Sequence, residues 1–285
     1  MEQLINEAKD NLRQLIKTPS LSKEEEKTAL IFENYLSKKN IPFQRKMNNI
    51  WAKNLHFDAS LPTILLNSHH DTVKPNSAYA KNPFEALEKD GKIFGLGSND
   101  AGASLVSLWA VFTFFYNKKL KYNLIYAATA EEEISGKNGV CSILTDLGKI
   151  NFAIVGEPTK MDLAIAEKGL VVLNCVAKGT ASHAAHQNDD NSIYMALRDI
   201  QKVQQLKFDK ESEVLGNVKA TVTIINAGSQ HNVVPDQCLF TVDVRTNEHY
   251  TNSEIVEIFR NELESEIEPR SLWLNSSRID LDHPF

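Results

Sequence analysis

Cysteine is scarce in this chain. Only Cys141, Cys175 and Cys238 occur among 285 residues, with no CxxC spacing. Such a sparse, odd set excludes a disulfide framework, and a reducing cytosol is the expected compartment. An excess of positive charge is also missing. With 31 Lys and Arg against 37 Asp and Glu, the formal net charge is -6 and no basic patch stands out. The balance argues against nucleic-acid binding. Long apolar runs are lacking too. The most apolar stretch, Ala103 to Tyr116, is 14 residues. A bilayer span needs about 20, so this stretch reads as a buried helix and no membrane association is expected. The opening MEQLINEAKDNLRQLIK carries charges throughout, unlike a secretory signal. HExxH, GxxxxGK[ST] and GxSxG are all absent, which leaves a phosphate loop or a serine elbow without local support. Neither internal repeats nor low-complexity segments are visible.

What is present fits about two domains by size. Leu4, Ala8, Leu12, Leu15 and Ile16 recur at helical spacing, which predicts a helix over 2–17. Ser22 with Glu25 three residues on is a capping-box signature for a second helix to about Lys39. In that reading Glu24, Glu25 and Glu26 form a solvated run. Strands are expected near 43–47, 50–54 and 63–67, and a helix from Ala101 to Tyr116. The apolar runs 123–129 and 152–156 read as central strands covered on both faces, with a helix near 138–147 between them. The alternation implies an α/β layer structure. Past Gly169 the order becomes β-α-β-β-α: strand 170–178, helix 192–206, strands 218–227 and 238–245, helix 251–265. A final strand near 271–275 would complete a split β-α-β sandwich.

Acidic and imidazole residues gather at the ends of the apolar runs. His69 and Asp71 follow TILL, Glu132 and Glu133 follow LIYAATA, and Glu157 follows FAIVGEPT. Asp100 lies in GLGSNDAG, where a dinucleotide fingerprint would want glycine. Buried charge is costly unless it is paired or bound to metal. One histidine with several carboxylates suits Zn²⁺ or a similar divalent ion. In extended backbone His69 and Asp71 face one side, so one can bind metal while the other orients it. Plainer readings stand beside these: a turn histidine bonded to its neighbour, and an N-capping Asp100. The run Glu131-Glu132-Glu133 is more pointed, because adjacent carboxylates at a buried strand end repel unless a cation or proton intervenes.

Six ordered motifs, SHHDTV (68–73), GLGSND (95–100), TAEEE (129–133), VGEPT (155–159), GTASH (179–183) and NVVPDQ…DVR (232–245), resemble those of the co-catalytic zinc aminoacylase and carboxypeptidase superfamily. That superfamily includes acetylornithine deacetylase and succinyl-diaminopimelate desuccinylase. The resemblance implies a mixed-sheet, zinc-exopeptidase-like catalytic domain over 1–168. It also implies an inserted α+β, ferredoxin-like lid for dimerisation over 169–275, and a return toward the catalytic domain over 276–285. It assigns His69, Asp100, Glu133 and Glu157 as metal ligands, with Asp100 bridging two ions. Glu132 becomes the general base and Asp71 the orienter of His69. His183 would stabilise the oxyanion in a partner subunit's site, and Asn232 and Arg245 would hold the substrate's carboxylate end. Arg245 as a structural ion pair and His183 as a loop histidine are the plain alternatives. A cis Asp100–Ala101 peptide is implied as well.

The chain departs from the pattern at Lys74, which stands before Pro75, and at Gly102-Ala103-Ser104, where a Lys-Gly is usual. The family's last histidine ligand lies in a segment beyond the point where this sequence stops, so the final part of the catalytic domain is expected to be absent. The implied protein is a cytoplasmic, homodimeric hydrolase of N-acyl amino acids, with two Zn²⁺ per full-length subunit and Co²⁺ as a possible substitute. N-acetylornithine in arginine biosynthesis is the first expectation. The alternatives are an N-succinyl or N-acyl-lysine deacylase, a dipeptidase or carboxypeptidase, and an inactive metal-binding scaffold.

Overall fold

A computed structural model describes Glu2 to Asp280 together with Asp282 and His283. Leu281, Pro284 and Phe285, from the segment expected to begin the return, lie outside the described residues. The chain divides into two compact units, Met1–Met161 and Asp162–Phe285. Among the described residues no helix is long and apolar enough to cross a membrane.

The first unit is an α/β layer. Its elements are α1 (Glu2–Lys17), α2 (Glu26–Lys38), β1 (Gln44–Lys46), β2 (Asn49–Lys53), β3 (Thr63–His69), the small hairpin β4 (Leu87–Lys89) and β5 (Lys92–Phe94), α3 (Ala103–Phe115), β6 (Asn123–Thr129), α4 (Leu144–Leu147) and β7 (Phe152–Val155). The sheet order is β1-β2-β6-β3-β7. Strand β3 runs parallel to both β6 and β7, whereas β2 is antiparallel to β6, so the sheet is mixed. Alternate residues of β6 explain its unbroken apolar run. Leu124, Tyr126 and Ala128 pack under α1, α2 and α3, while Ile125 and Ala127 join Ile143 and Leu147 on the other face. With both faces covered, no polar position is needed along the strand. Tyr126 anchors the first layer, its ring 5.2 Å from Trp109 and 5.9 Å from Phe112.

Three expectations change in this unit. Strand β7 is an edge strand rather than a central one, paired to β3 alone among the described residues, and its Ile154 and Val155 are 43% and 56% exposed. The helix expected over 138–147 reduces to a single turn at Val140–Ser142 followed by α4. Here Gly136 and Gly139 press their backbone against Glu131 and the Ala130 carbonyl, which leaves no room for a regular helix. Helix α2 begins without its capping box: Glu25 makes no side-chain cap, and the Ser22 hydroxyl donates to Asp71 Oδ2 instead, at 2.7 Å.

The second unit holds β8 (Ala166–Glu167), β9 (Gly169–Lys178), β10 (Ser182–His183), α5 (Ser192–Gln205), β11 (Lys219–Ala227), β12 (Val233–Val234), β13 (Gln237–Thr246), α6 (Asn252–Glu262), β14 (Glu266–Pro269) and β15 (Ser277–Arg278). Its antiparallel sheet runs β11-β13-β9-β14, with helices α5 and α6 packed on one face, as in a split β-α-β sandwich. Strand β9 alternates buried and half-buried residues along its length, the mark of a sheet covered on one face. The last strand falls at 266–269, earlier than the expected 271–275. The buried Asp199 carboxyl accepts the backbone N–H groups of Glu264 and Ser265 at 2.8–3.1 Å. That capture turns the chain out of α6 and starts the strand at once.

Candidate metal centre

The parallel register of β3, β6 and β7 brings three strand ends to one place. His69 pairs with Thr129 across β3 and β6, and Asn67 with Val155 across β3 and β7. Gly156 continues that pairing, its N–H donating to Asn67 O at 2.7 Å. A Cβ on Gly156 would lie 2.8 Å from Ser104 Cβ and 3.2 Å from Ser68 Cβ, so only glycine lets β7 deliver Glu157 this close to α3. Asp100 is supplied by the turn Ser98–Gly102 that precedes α3. Its peptide bond to Ala101 is cis. Open α/β sheets place their sites at such carboxyl ends.

His69 is the centre of the cluster. It is 1% exposed, and its Nε2 lies 3.1 Å from Asp100 Oδ1, 3.8 Å from Glu132 Oε2 and 3.8 Å from Glu157 Oε2. Glu133 joins a second grouping. His69, Asp100 and Glu133 offer ligand atoms within 4.8 Å of one another, and so do His69, Glu132 and Glu157. Burial alone would lower the His69 pKa, but hydrogen bonds and charge from Asp71 and Glu157 push it up to about 11. Glu132 moves the other way from an ordinary glutamate. Burial raises its pKa, and the carboxylates of Glu157, Asp71 and Glu133 add to the rise. Glu133 is raised by burial and by Asp100. Crowded carboxyl groups that raise one another's pKa beside a single imidazole are the kind of charge cluster a divalent cation would offset.

Asp71 organises this cluster from below. It is fully buried, and its Oδ1 and Oδ2 accept the backbone N–H groups of Glu132 and Glu133 at 3.0 and 3.2 Å. Burial would raise its pKa, yet the bonds from His69, Ser22 and the Glu132 N–H hold it below the usual carboxylate range. The donor set therefore fits a divalent ion: one oriented imidazole, several carboxylates, and positioning carboxyl groups behind them.

The sequence-expected residues of the second unit gather only in part. His183 on β10 pairs with Val233 on β12, and Ala184 N–H donates to Asn232 O at 3.0 Å, so His183 and Asn232 share one small ladder. The His183 ring accepts from Ala185 N–H through Nδ1 and lies 5.8 Å from the His186 ring. Arg245 stands eight residues along β13 from Gln237, ~26 Å at strand rise. There it grips Asp243 in a two-pronged contact at 2.8 and 3.2 Å. The structural ion pair weighed for Arg245 is thus present. The sequence marks Ser22 and Glu25 only as a helix cap, not as neighbours of the site. From the turn before α2, Ser22 binds Asp71 and Glu25 binds the Glu131 N–H next to the site, although the capping pattern points both at the helix itself.

Residues 165–271 match a family described as the peptidase dimerisation domain of the M20 type. A succinyl-diaminopimelate desuccinylase of Wolbachia pipientis wMel is 25% identical over 253 residues, covering 84% of this chain and 63% of that protein. An acetylornithine deacetylase of Buchnera aphidicola is 28% identical over 264 residues, 85% of this chain and 68% of its own. The chain thus carries an M20 peptidase dimerisation domain and is similar to curated desuccinylases and deacetylases over most of its length. Solved peptidase structures share its fold. A dinuclear metal-binding M20 peptidase of Bacillus subtilis superposes with a TM-score of 0.70 over 98% of this chain and 77% of its own, at 19% identity. The aminopeptidase PepT of Bacillus cereus gives 0.73 over 99% and 79%, at 18% identity. The chain spans 55–68% of the length of the curated relatives it matches.

Proposed function

We propose that this protein is a metal-dependent amidohydrolase that cleaves the amide bond of an N-acyl amino acid. The observation that carries the reading is the position of His69 Nε2, buried and facing Asp100, Glu132 and Glu157 at 3.1–3.8 Å. His69, Asp100, Glu133 and Glu157 would hold the ions, Zn²⁺ or Co²⁺. A bound divalent ion supplies Lewis-acid polarisation of the scissile carbonyl and lowers the pKa of a water. Asp71 keeps His69 oriented and holds the turn that carries both glutamates. Glu132 takes a proton from the attacking water and returns it to the leaving amine. Its raised pKa brings it toward the range where a general base works best.

In this reading the unit Asp162–Phe285 pairs two copies, as the match to a dimerisation domain supports. His183 of one copy then steadies the oxyanion in the site of the other, and Asn232, on the same small ladder, contacts the substrate's carboxylate end. The names of the curated relatives favour N-acetylornithine or N-succinyl-diaminopimelate as substrate, with N-acetylornithine the first to test; the cytoplasm is the proposed compartment. The peptidase neighbours favour a second reading, hydrolysis of short peptides. Purified protein, loaded with Zn²⁺ or Co²⁺, is assayed on both N-acyl amino acids and on di- and tripeptides. Turnover of the acyl amino acids above that of the peptides supports the first reading. Preference for peptides replaces it with the second, and no turnover of either class overturns both.

A further inference from the structure

We infer that Glu25 is a positioning residue for the Glu131–Glu133 turn, an inference that rests on the amidohydrolase reading for its catalytic half. Glu25 sits between two exposed glutamates, Glu24 and Glu26, yet is itself fully buried. Its side chain points away from α2, where a cap would need it. Oε1 accepts from Lys23 N–H at 2.6 Å and from Glu131 N–H at 3.3 Å, and Oε2 accepts from Asn48 Nδ2 at 2.8 Å. All three partners are donors, so both oxygens of Glu25 must be acceptors.

Glu131 needs such a hold. Its φ is +54°, a left-handed conformation that side chains rarely adopt and that persists only where surrounding contacts enforce it. Its own carboxyl folds back onto Asn138, accepting from Nδ2 at 2.9 Å and from the backbone N–H at 3.3 Å. Gly136 closes over it so tightly that a Cβ there would meet Glu131 Oε2 at 2.1 Å. The next two backbone N–H groups go to Asp71. Three consecutive amides, 131 to 133, thus end on two buried carboxyls. Glu25 fixes the first and Asp71 the other two, and both carboxyls are reached from the 22–25 segment, since Ser22 donates to Asp71. The side chains of Glu132 and Glu133 leave from this turn, so its backbone geometry sets where they meet His69. Asp71 also touches His69 directly. Glu25 touches no group of the cluster, and acts on it only through Glu131.

The test uses donor and acceptor matching. In Glu25→Gln the new amide must set its own N–H against either Asn48 Nδ2 or the two backbone donors. Adding Asn48→Asp supplies an acceptor for it and restores the match. We expect hydrogen exchange of the 131–133 amides in metal-free protein to speed up at least tenfold in Glu25→Gln, and to return within about threefold of wild type in the double variant. Affinity for Co²⁺, read from its visible absorption, should fall and recover in the same order. So should kcat on the preferred substrate, by roughly tenfold or more with KM little changed. Equal exchange at 131–133 in wild type and Glu25→Gln overturns the inference, as does faster exchange spread evenly over the whole first unit. If Glu25→Gln does not fold, Asn48→Ala, which removes one donor from a half-buried side chain, is read at the same amides against the same criterion. Inactivity of the wild type would sink the hydrolase reading alone, because exchange and metal affinity still decide the role of Glu25.

Discussion

The carbonyl oxygen of Asp71 lies 3.0 Å from Nδ1 of His69. A carbonyl can only accept, so Nδ1 carries the hydrogen and Nε2 turns its lone pair to the carboxylates once the ring is neutral. The Asp71 carboxyl stands behind the same nitrogen, at 3.4 Å. Groups placed behind a ligand imidazole normally set both its tautomer and its basicity. Asp71→Asn should therefore weaken Co²⁺ or Zn²⁺ binding about 10- to 100-fold, measured by competition with a chromogenic chelator. Unchanged affinity would mean that the backbone carbonyl suffices.

Glu132 and Glu133 should separate on substitution. Glu132→Gln is expected to keep metal binding and lose roughly 10²–10⁴-fold in turnover. Glu133→Gln should lower metal affinity as well as turnover. Both glutamates stand close enough to His69 and its partners to be ligands, so the contrast has to come from paired metal titration and steady-state rates. Near-normal turnover in Glu132→Gln would remove it from the role of base.

A pH dependence follows from the raised pKa of both residues in the metal-free protein. A carboxyl whose folded pKa lies above its unfolded value adds stability below the unfolded value, about 4.3 for glutamate, and loses it as pH rises through the folded pKa. Metal-free wild type should thus lose stability relative to the Glu132→Gln/Glu133→Gln double variant as pH climbs from about 4 toward neutrality. Thermal melts in chelator across that range read the difference. A constant gap between the two proteins at every pH contradicts the assignment.

Gly156→Ala is expected to destabilise the first unit by about 1–3 kcal/mol, the usual cost of overpacking. The added methyl would meet Ser104, Leu108 and Ser68 at 2.8–3.2 Å. Because Glu157 follows directly, metal affinity should drop along with the melting temperature. Chemical denaturation and a metal titration on one sample check both effects.

Much of this architecture was legible in residue patterns. Helix α1, strands β3 and β6 and the ferredoxin-like order of the second unit follow from apolar periodicity, because each buries a regular stripe or a doubly covered face. Strand β7 was legible as a strand but not as an edge, since an apolar run reads the same whether or not a neighbour covers it. The cluster residues stood out as polar groups at the ends of buried runs. Ser22 and Glu25 did not, for their capping spacing is satisfied in sequence while their partners, Asp71 and Glu131, lie 49 and 106 residues away. Local spacing cannot reveal a bond made across the sheet. Arg245 shows the reverse case: its partner Asp243 is two residues off, and the alternation of a strand brings them to one side.

His69 has only one nitrogen to give. Both candidate ligand triads include it, one with Glu132 and Glu157 and the other with Asp100 and Glu133, and Nδ1 is already engaged by Asp71. A single Nε2 lone pair serves one ion at a time. Two ions loaded in sequence would then meet unequal hosts, the first with imidazole and carboxylate, the second with oxygen donors alone among these residues. Oxygen-only hosts rank divalent ions differently from those with nitrogen. Isothermal titration should resolve two steps whose order depends on the ion supplied, with Zn²⁺ spreading the steps farther apart than Mn²⁺.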